Sequence, residues 1–173
     1  MRPYSPFLLA VIYAAAFSTQ VCVLFYGGLQ SQLNYSYLIG LLAMLPFVAL
    51  SIWLRRKDSR AEIMTGRIAM REGLKFTIAA TLLLCIFQIV FFYQGFHDYK
   101  CDYIRNAGPK ILSDQIDHGH LALKKSDIPK MIEADIQGVT PFREITSVVF
   151  KNVLFGAFAS FLFSLLFKRR ATK

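Results

Sequence analysis

Apolar residues run through this chain in four long blocks, and the polar residues gather between them. A helix that crosses a hydrocarbon core needs roughly 20 mostly apolar residues. Phe7 to Leu29 contains no charged residue and meets that length, and Phe76 to Phe96 does so again. Thr146 to Phe167 is a third block, with Lys151 near one end. Leu38 to Leu54 is shorter, but its uncharged stretch reaches back through Tyr35 and Leu33. Pro46 falls in the middle of that block and leaves the Leu42 carbonyl without a helical donor, which predicts a kink. The expected fold is an all-α integral membrane protein of four transmembrane helices, at about 7–29, 35–54, 76–96 and 146–167. Residues 1–173 then form a single membrane domain.

Charge fixes the expected orientation. Lys and Arg concentrate on the cytoplasmic side of membrane proteins. The link from span one to span two carries no charge, whereas the link from span two to span three holds Arg55, Arg56, Lys57, Arg60, Arg67, Arg71 and Lys75. Arg2 precedes the first span, and Lys168, Arg169, Arg170 and Lys173 follow the last. In a four-span chain all of these lie on one side, so both termini are expected in the cytoplasm. The formal net charge of +9, which elsewhere raises the question of nucleic acid, then sits wholly on that side. A topology signal accounts for it, and no nucleic-acid partner is expected. Tyr26, Tyr35, Tyr37, Tyr93 and Tyr99 gather at the outer level and Trp53 at the inner one, as interfacial aromatic belts do. Arg2 and Ala14-Ala15-Ala16 also suit a secretory signal, but the apolar run continues a dozen residues further. A retained span is the reading.

Two polar regions remain. Residues 55–75 read as a cytoplasmic elbow in which Ala61 to Lys75 forms a short helix, with Ile63, Met70 and Leu74 on one face. Its cations Arg55, Arg56, Lys57, Arg67 and Arg71 suit contact with anionic headgroups or with a partner protein. Residues 97–145 read as an extracytoplasmic helical segment. Asn106-Ala-Gly-Pro109 is expected to break it. Ser126 is expected to cap a helix that closes at Gly138, and Thr140-Pro141 to open the helix of span four.

Candidate chemistry is sparse. Asp114, Asp117, His118 and His120 are a cluster of possible metal ligands, but they lack a zinc-protease spacing or paired cysteines, so no metal site is assigned. His118 or His120 in a pocket is what an external hydrolase would need. The spans carry no Asp, Glu, Arg or His at membrane depth, which argues against an ion-coupled exchanger. They do carry Gln20 and Gln88 at similar expected depth, where an interhelical hydrogen bond is worth roughly 0.6–2 kcal/mol. Gly156, Ser160 and Ser164 recur every four residues on span four, and Gly73, Thr77 and Thr81 mark a similar face on span three. Small residues at that spacing let helices approach closely, either within the chain or in a dimer. Cys22 and Cys85 lie inside spans, while Cys101 stands alone outside, where it can bridge only to another chain.

The layout resembles a four-span inner-membrane family, a domain of unknown function found in bacteria of the Bacteroidota type. The resemblance rests on Gly66-Arg-Ile-Ala-Met-Arg-Glu-Gly73, on Lys125-Ser-Asp-Ile-Pro-Lys-Met-Ile-Glu133 before a Gly-containing last span with a Lys/Arg tail, and on the Tyr99/Tyr103 region. It implies a bacterial inner-membrane location and no known reaction or cofactor. The expected function is a non-enzymatic accessory or structural role, binding other membrane proteins or lipids, or copies of itself. A small oligomeric transporter or channel lined by Gln20, Gln88 and Asn152 is the alternative.

Overall fold

The computed structural model describes residues 5–58, 65–118 and 124–167, and these are helical with no strand among them. The helices are α1 (Pro6–Tyr26), α2 (Leu33–Asp58), α3 (Gly66–Phe91), α4 (His97–Asp117), α5 (Ile128–Gln137) and α6 (Pro141–Phe167). Four helical stretches, in α1, α2, α3 and α6, are long and apolar enough to cross a membrane. The chain divides into two compact units, one of Met1–Ile86 with Val148–Lys173 and the other of Phe87–Ser147.

Helix boundaries follow local chemistry. Ser5 opens α1 by accepting the Phe7 N–H on its Oγ, with Pro6 at the first helical position where no donor is missed. The helix stops at Tyr26, three residues short of the apolar block, because Gly28 takes a positive φ of 77°. That turn lets the Gly27 and Leu29 N–H groups reach back to the carbonyls of Val23 and Leu24. Thr65 caps α3 through Oγ1 to the Ile68 N–H. Thr140 caps α6 in the same way, through Oγ1 to the Arg143 N–H, with Pro141 following.

Several boundaries differ from the sequence reading. The elbow helix is no separate element: from Gly66 onward it is the first turns of α3, while Ala61 and Ile63 lie outside the described residues. The third span ends as an α-helix at Phe91 and passes into a π-helical stretch, Phe92–Phe96. There Gln94 leaves helical geometry and Gly95 adopts a φ of 109°, so the chain turns before α4. Asn106 to Pro109 is no break, since α4 runs straight through it. Gly108 lies against α5 there: a Cβ on it would stand 2.4 Å from Ile132 Cδ1, the movable end of that side chain. Ser126 lies in a short 3-10 turn, Lys125–Asp127, and does not cap α5.

The membrane unit is apolar outside and partly polar within. Leu8, Leu38, Leu42, Leu82, Phe158 and Leu166 are exposed, while Ser36, Ser51, Thr77, Thr81, Ser160 and Ser164 are buried. In water this distribution would expose a large apolar surface, and in lipid it is the expected one. α1 and α2 form an antiparallel pair built on aromatic rings. Phe17 lies flat enough on Gly40 that a Cβ there would meet its ring at 2.2 Å. The Tyr13 hydroxyl donates to the Gly40 carbonyl at 2.9 Å, and its ring packs edge-on against Phe47 and Phe76. α2 continues as a helix through Pro46.

Candidate functional site

The small-residue faces of α3 and α6 meet. A Cβ on Gly73 would stand 2.5 Å from Ser160 Oγ, and one on Gly156 would stand 2.3 Å from Thr77 Cγ2. The hydroxyls are satisfied within their own helices, Thr77 Oγ1 donating to the Gly73 carbonyl and Ser160 Oγ to that of Gly156. Ser164 Oγ likewise donates to the Phe161 carbonyl. The two contacts set an antiparallel register, which continued along the two helices places Thr81 opposite Asn152. Asn152 is buried, and Thr81 Oγ1 is buried without a hydrogen-bond partner. The face that sequence spacing offered to either a sister helix or a second chain is therefore occupied from within.

Of the two glutamines, Gln20 is half-buried on α1, and Gln88 is 3% exposed near the end of α3. They belong to different compact units. The cations at the ends of α2 and α3 stay accessible: Arg55, Lys57, Arg67 and Arg71 are exposed and Arg56 is half-buried. Lys57 Nζ stands 5.5 Å from the centre of the Trp53 ring, an ammonium held over an interfacial aromatic. Arg60 and the tail residues Lys168, Arg169, Arg170 and Lys173 lie outside the described residues, as do Arg2 and His120.

Sequence reasoning missed Glu72. It falls within the polar link at 55–75, but α3 already runs as a helix there and turns Glu72 inward, 7% exposed. Lys75 Nζ meets its carboxylate at 2.8 Å, so the charge is paired where the helix enters the membrane unit. The signal was available: Glu72 shares the face of Ala69, Phe76 and Ala80, all buried.

The second unit holds the segment that the sequence reads as a string of short helices between spans three and four. Cys101 is 6% exposed, not a surface thiol, and its Sγ lies 3.7 Å from His97 Nε2 on the preceding turn. A bridge from Cys101 to another chain would therefore need the thiol to be uncovered first. His97 Nδ1 in turn lies 3.0 Å from Asp98 Oδ1. His118 Nδ1 lies 2.7 Å from the Asp114 carbonyl at the end of α4, and among the described residues no three His, Cys, Asp or Glu side chains are grouped to hold a metal ion.

A pocket of this unit forms elsewhere, where the end of α5 and the start of α6 face α4. It is half-open, with a volume of about 200 Å³, and Asp135 and Arg143 on its rim are exposed. Lys100 and Glu144 form an ion pair on one wall, Glu144 being the better covered of the two. Asp135 and Arg143 complete the charged lining, over a base of Ile104, Gly138 and Val139. Arg143 lies across Gly138, whose missing side chain leaves room for the guanidinium: a Cβ would come within 2.7 Å of Nη1. Neither Arg143 nor Asp135 has an ion-pair partner among the described residues. The pocket therefore presents one free cation and one free anion beside a neutralised pair. Nothing in the sequence pattern announces it, because its four charges come from three helices.

No curated protein and no solved structure matches this chain. Residues 7–169 match the family described as "Protein of unknown function (DUF4199)". With four membrane-length helices and nearly its whole length covered by that match, the chain belongs to the DUF4199 family.

Proposed function

We propose that this protein is a non-enzymatic accessory protein of the bacterial inner membrane. It spans the membrane four times with both termini in the cytoplasm, exposes residues 97–145 on the far side, and binds a membrane-protein partner and lipid. One observation carries the reading: Arg55, Lys57, Arg67 and Arg71 stand exposed at the ends of two membrane-length helices. Such a basic collar attracts anionic headgroups at about 1 kcal/mol per cation near the surface. Close helix contacts inside the membrane unit support a supporting role over a conducting one.

The test is purification in mild detergent at native expression, with lipid and protein analysis of what travels with the chain. The expected result is anionic lipid together with one membrane protein in fixed ratio. Neutralising Arg55, Arg56, Lys57, Arg67 and Arg71 to Gln should strip the lipid. A chain that emerges alone and monodisperse, with no lipid preference, overturns the proposal.

A further inference from the structure

We infer that the pocket of the second unit is a binding site for a zwitterionic phosphoethanolamine headgroup. The inference rests on the membrane placement proposed above and adds a ligand to it. Three observations lead there.

The first is charge. Lys100 and Glu144 neutralise one another, so neither attracts a free ion strongly. Arg143 and Asp135 are left as a separated cation and anion on one small pocket. A guanidinium holds a phosphate through paired N–H donors, and a carboxylate accepts from a primary ammonium. A ligand that is only anionic satisfies Arg143 and is repelled by Asp135. A ligand that carries both charges satisfies both.

The second is size. About 200 Å³ lies below the roughly 300–1,000 Å³ of sites that enclose drug-sized ligands. It suits a headgroup whose remainder lies outside the pocket.

The third is depth. α6 has 27 residues, which at 1.5 Å rise per residue is about 40 Å, longer than a hydrocarbon core of about 30 Å. The excess belongs to its first turns, where Arg143, Glu144 and the Thr140 cap make the polar end. With the membrane placement proposed above, Arg143 and Glu144 on these turns of α6 stand at the level of lipid headgroups. Phe142, the neighbour of Arg143, is 78% exposed, as an aromatic side chain set among acyl chains would be.

The test uses the whole chain in micelles doped with phosphatidylethanolamine, phosphatidylglycerol or phosphatidylcholine, read by native mass spectrometry. Retention of phosphatidylethanolamine should exceed that of the other two by roughly tenfold to a hundredfold, the effect of one charge-assisted hydrogen bond. Arg143→Gln should lower retention of every phospholipid at this site. Asp135→Asn should remove the preference for the ammonium while leaving phosphatidylglycerol bound. Arg105→Gln, which breaks only the pair with Asp102 outside the pocket, should change nothing. Free phosphoethanolamine that binds while the lipid does not would assign the same chemistry to a soluble ligand. Equal retention of all three lipids, or wild-type selectivity in both pocket variants, overturns the site. A lost preference with partner capture intact discards the headgroup site alone, and the reverse result discards the accessory reading alone.

Discussion

The two units of this molecule use glycine at helix contacts in different ways. In the membrane unit, Gly40, Gly73 and Gly156 face atoms that cannot move aside: a stacked Phe17 ring, Ser160 Cβ, and the branched Thr77. In the second unit, the one close approach to Gly108 is the tip of Ile132, a flexible methyl. The difference follows from the surroundings each unit is built for. Lipid tails are as apolar as the side chains, so helices there gain little from apolar burial and rely on close contact. The second unit has charged exposed faces and ion pairs, Lys100–Glu144 and Lys125–Asp117 among them, and half-buries the apolar side of α5 where it contacts α4. One unit is held by shape and the other by burial and charge.

The sharpest way to break that comparison is to fill a glycine in the membrane unit. Gly156→Leu should destabilise it by roughly 3 kcal/mol or more, the upper range for overpacking, because Thr77 is stiff at χ1 and backed by its own helix. Denaturation in SDS against a mild detergent reads the loss. Gly156→Ala should cost less, and Thr77→Ala should recover most of it by removing the two γ atoms that clash. If Gly156→Leu leaves the unfolding transition in place, the α3–α6 contact does not hold the unit together.

A second prediction separates shape from hydrogen bonding in the aromatic pair. Tyr13→Phe keeps the ring against Phe47 and Phe76 and removes only the donor to the Gly40 carbonyl. The loss should be about 0.6–1.7 kcal/mol, the range for polar contacts between membrane helices. A drop as large as that of Gly156→Leu would show that the hydroxyl, not the packing, holds α1 against α2.

How far the sequence led can be judged on particular residues. Four helices of membrane length were legible because uncharged blocks of that length have few other uses, and the cap at Thr140 with Pro141 because its chemistry is local. The small faces of α3 and α6 were visible as spacing, but spacing cannot say which surface covers them. Asn106 to Pro109 misled: Gly and Pro signal a break only when nothing packs against them, and here α5 does. The pocket was invisible for a deeper reason. Lys100, Asp135, Arg143 and Glu144 are separated by up to 44 residues, and only the fold of α4, α5 and α6 brings them to one cavity.

Gly108→Ala tests the other side of the comparison. Alanine in a helix interior is about 1 kcal/mol better than glycine. Against that gain stands a Cβ 2.4 Å from Ile132 Cδ1, which a rotation of the isoleucine end can relieve. The two should nearly cancel, leaving thermal unfolding of the second unit within about 0.5 kcal/mol of wild type. A loss of the size seen at Gly156 would mean that α4 and α5 are joined by shape after all.

The smallest effect concerns charge. Lys125 Nζ approaches both carboxylate oxygens of Asp117, at 2.8 and 2.9 Å. This hydrogen bond, helped by the lysine's charge, holds the Asp117 carboxyl below its ordinary range. A carboxyl whose folded pKa is lowered contributes stability that is present above its unfolded pKa and is lost as pH falls through the folded value. Asp117 is fully exposed, so that contribution is screened by water and salt. The titration midpoint is the better readout. Followed by NMR of the side-chain carboxyl, Asp117 should titrate below an ordinary aspartate, and Lys125→Gln should bring it back up while leaving the unfolding temperature unchanged. Raising the salt concentration should move the wild-type midpoint in the same direction as the substitution. A midpoint indifferent to both would show that the ion pair does not persist in solution, and the second unit would then rest on the apolar contact of α4 with α5.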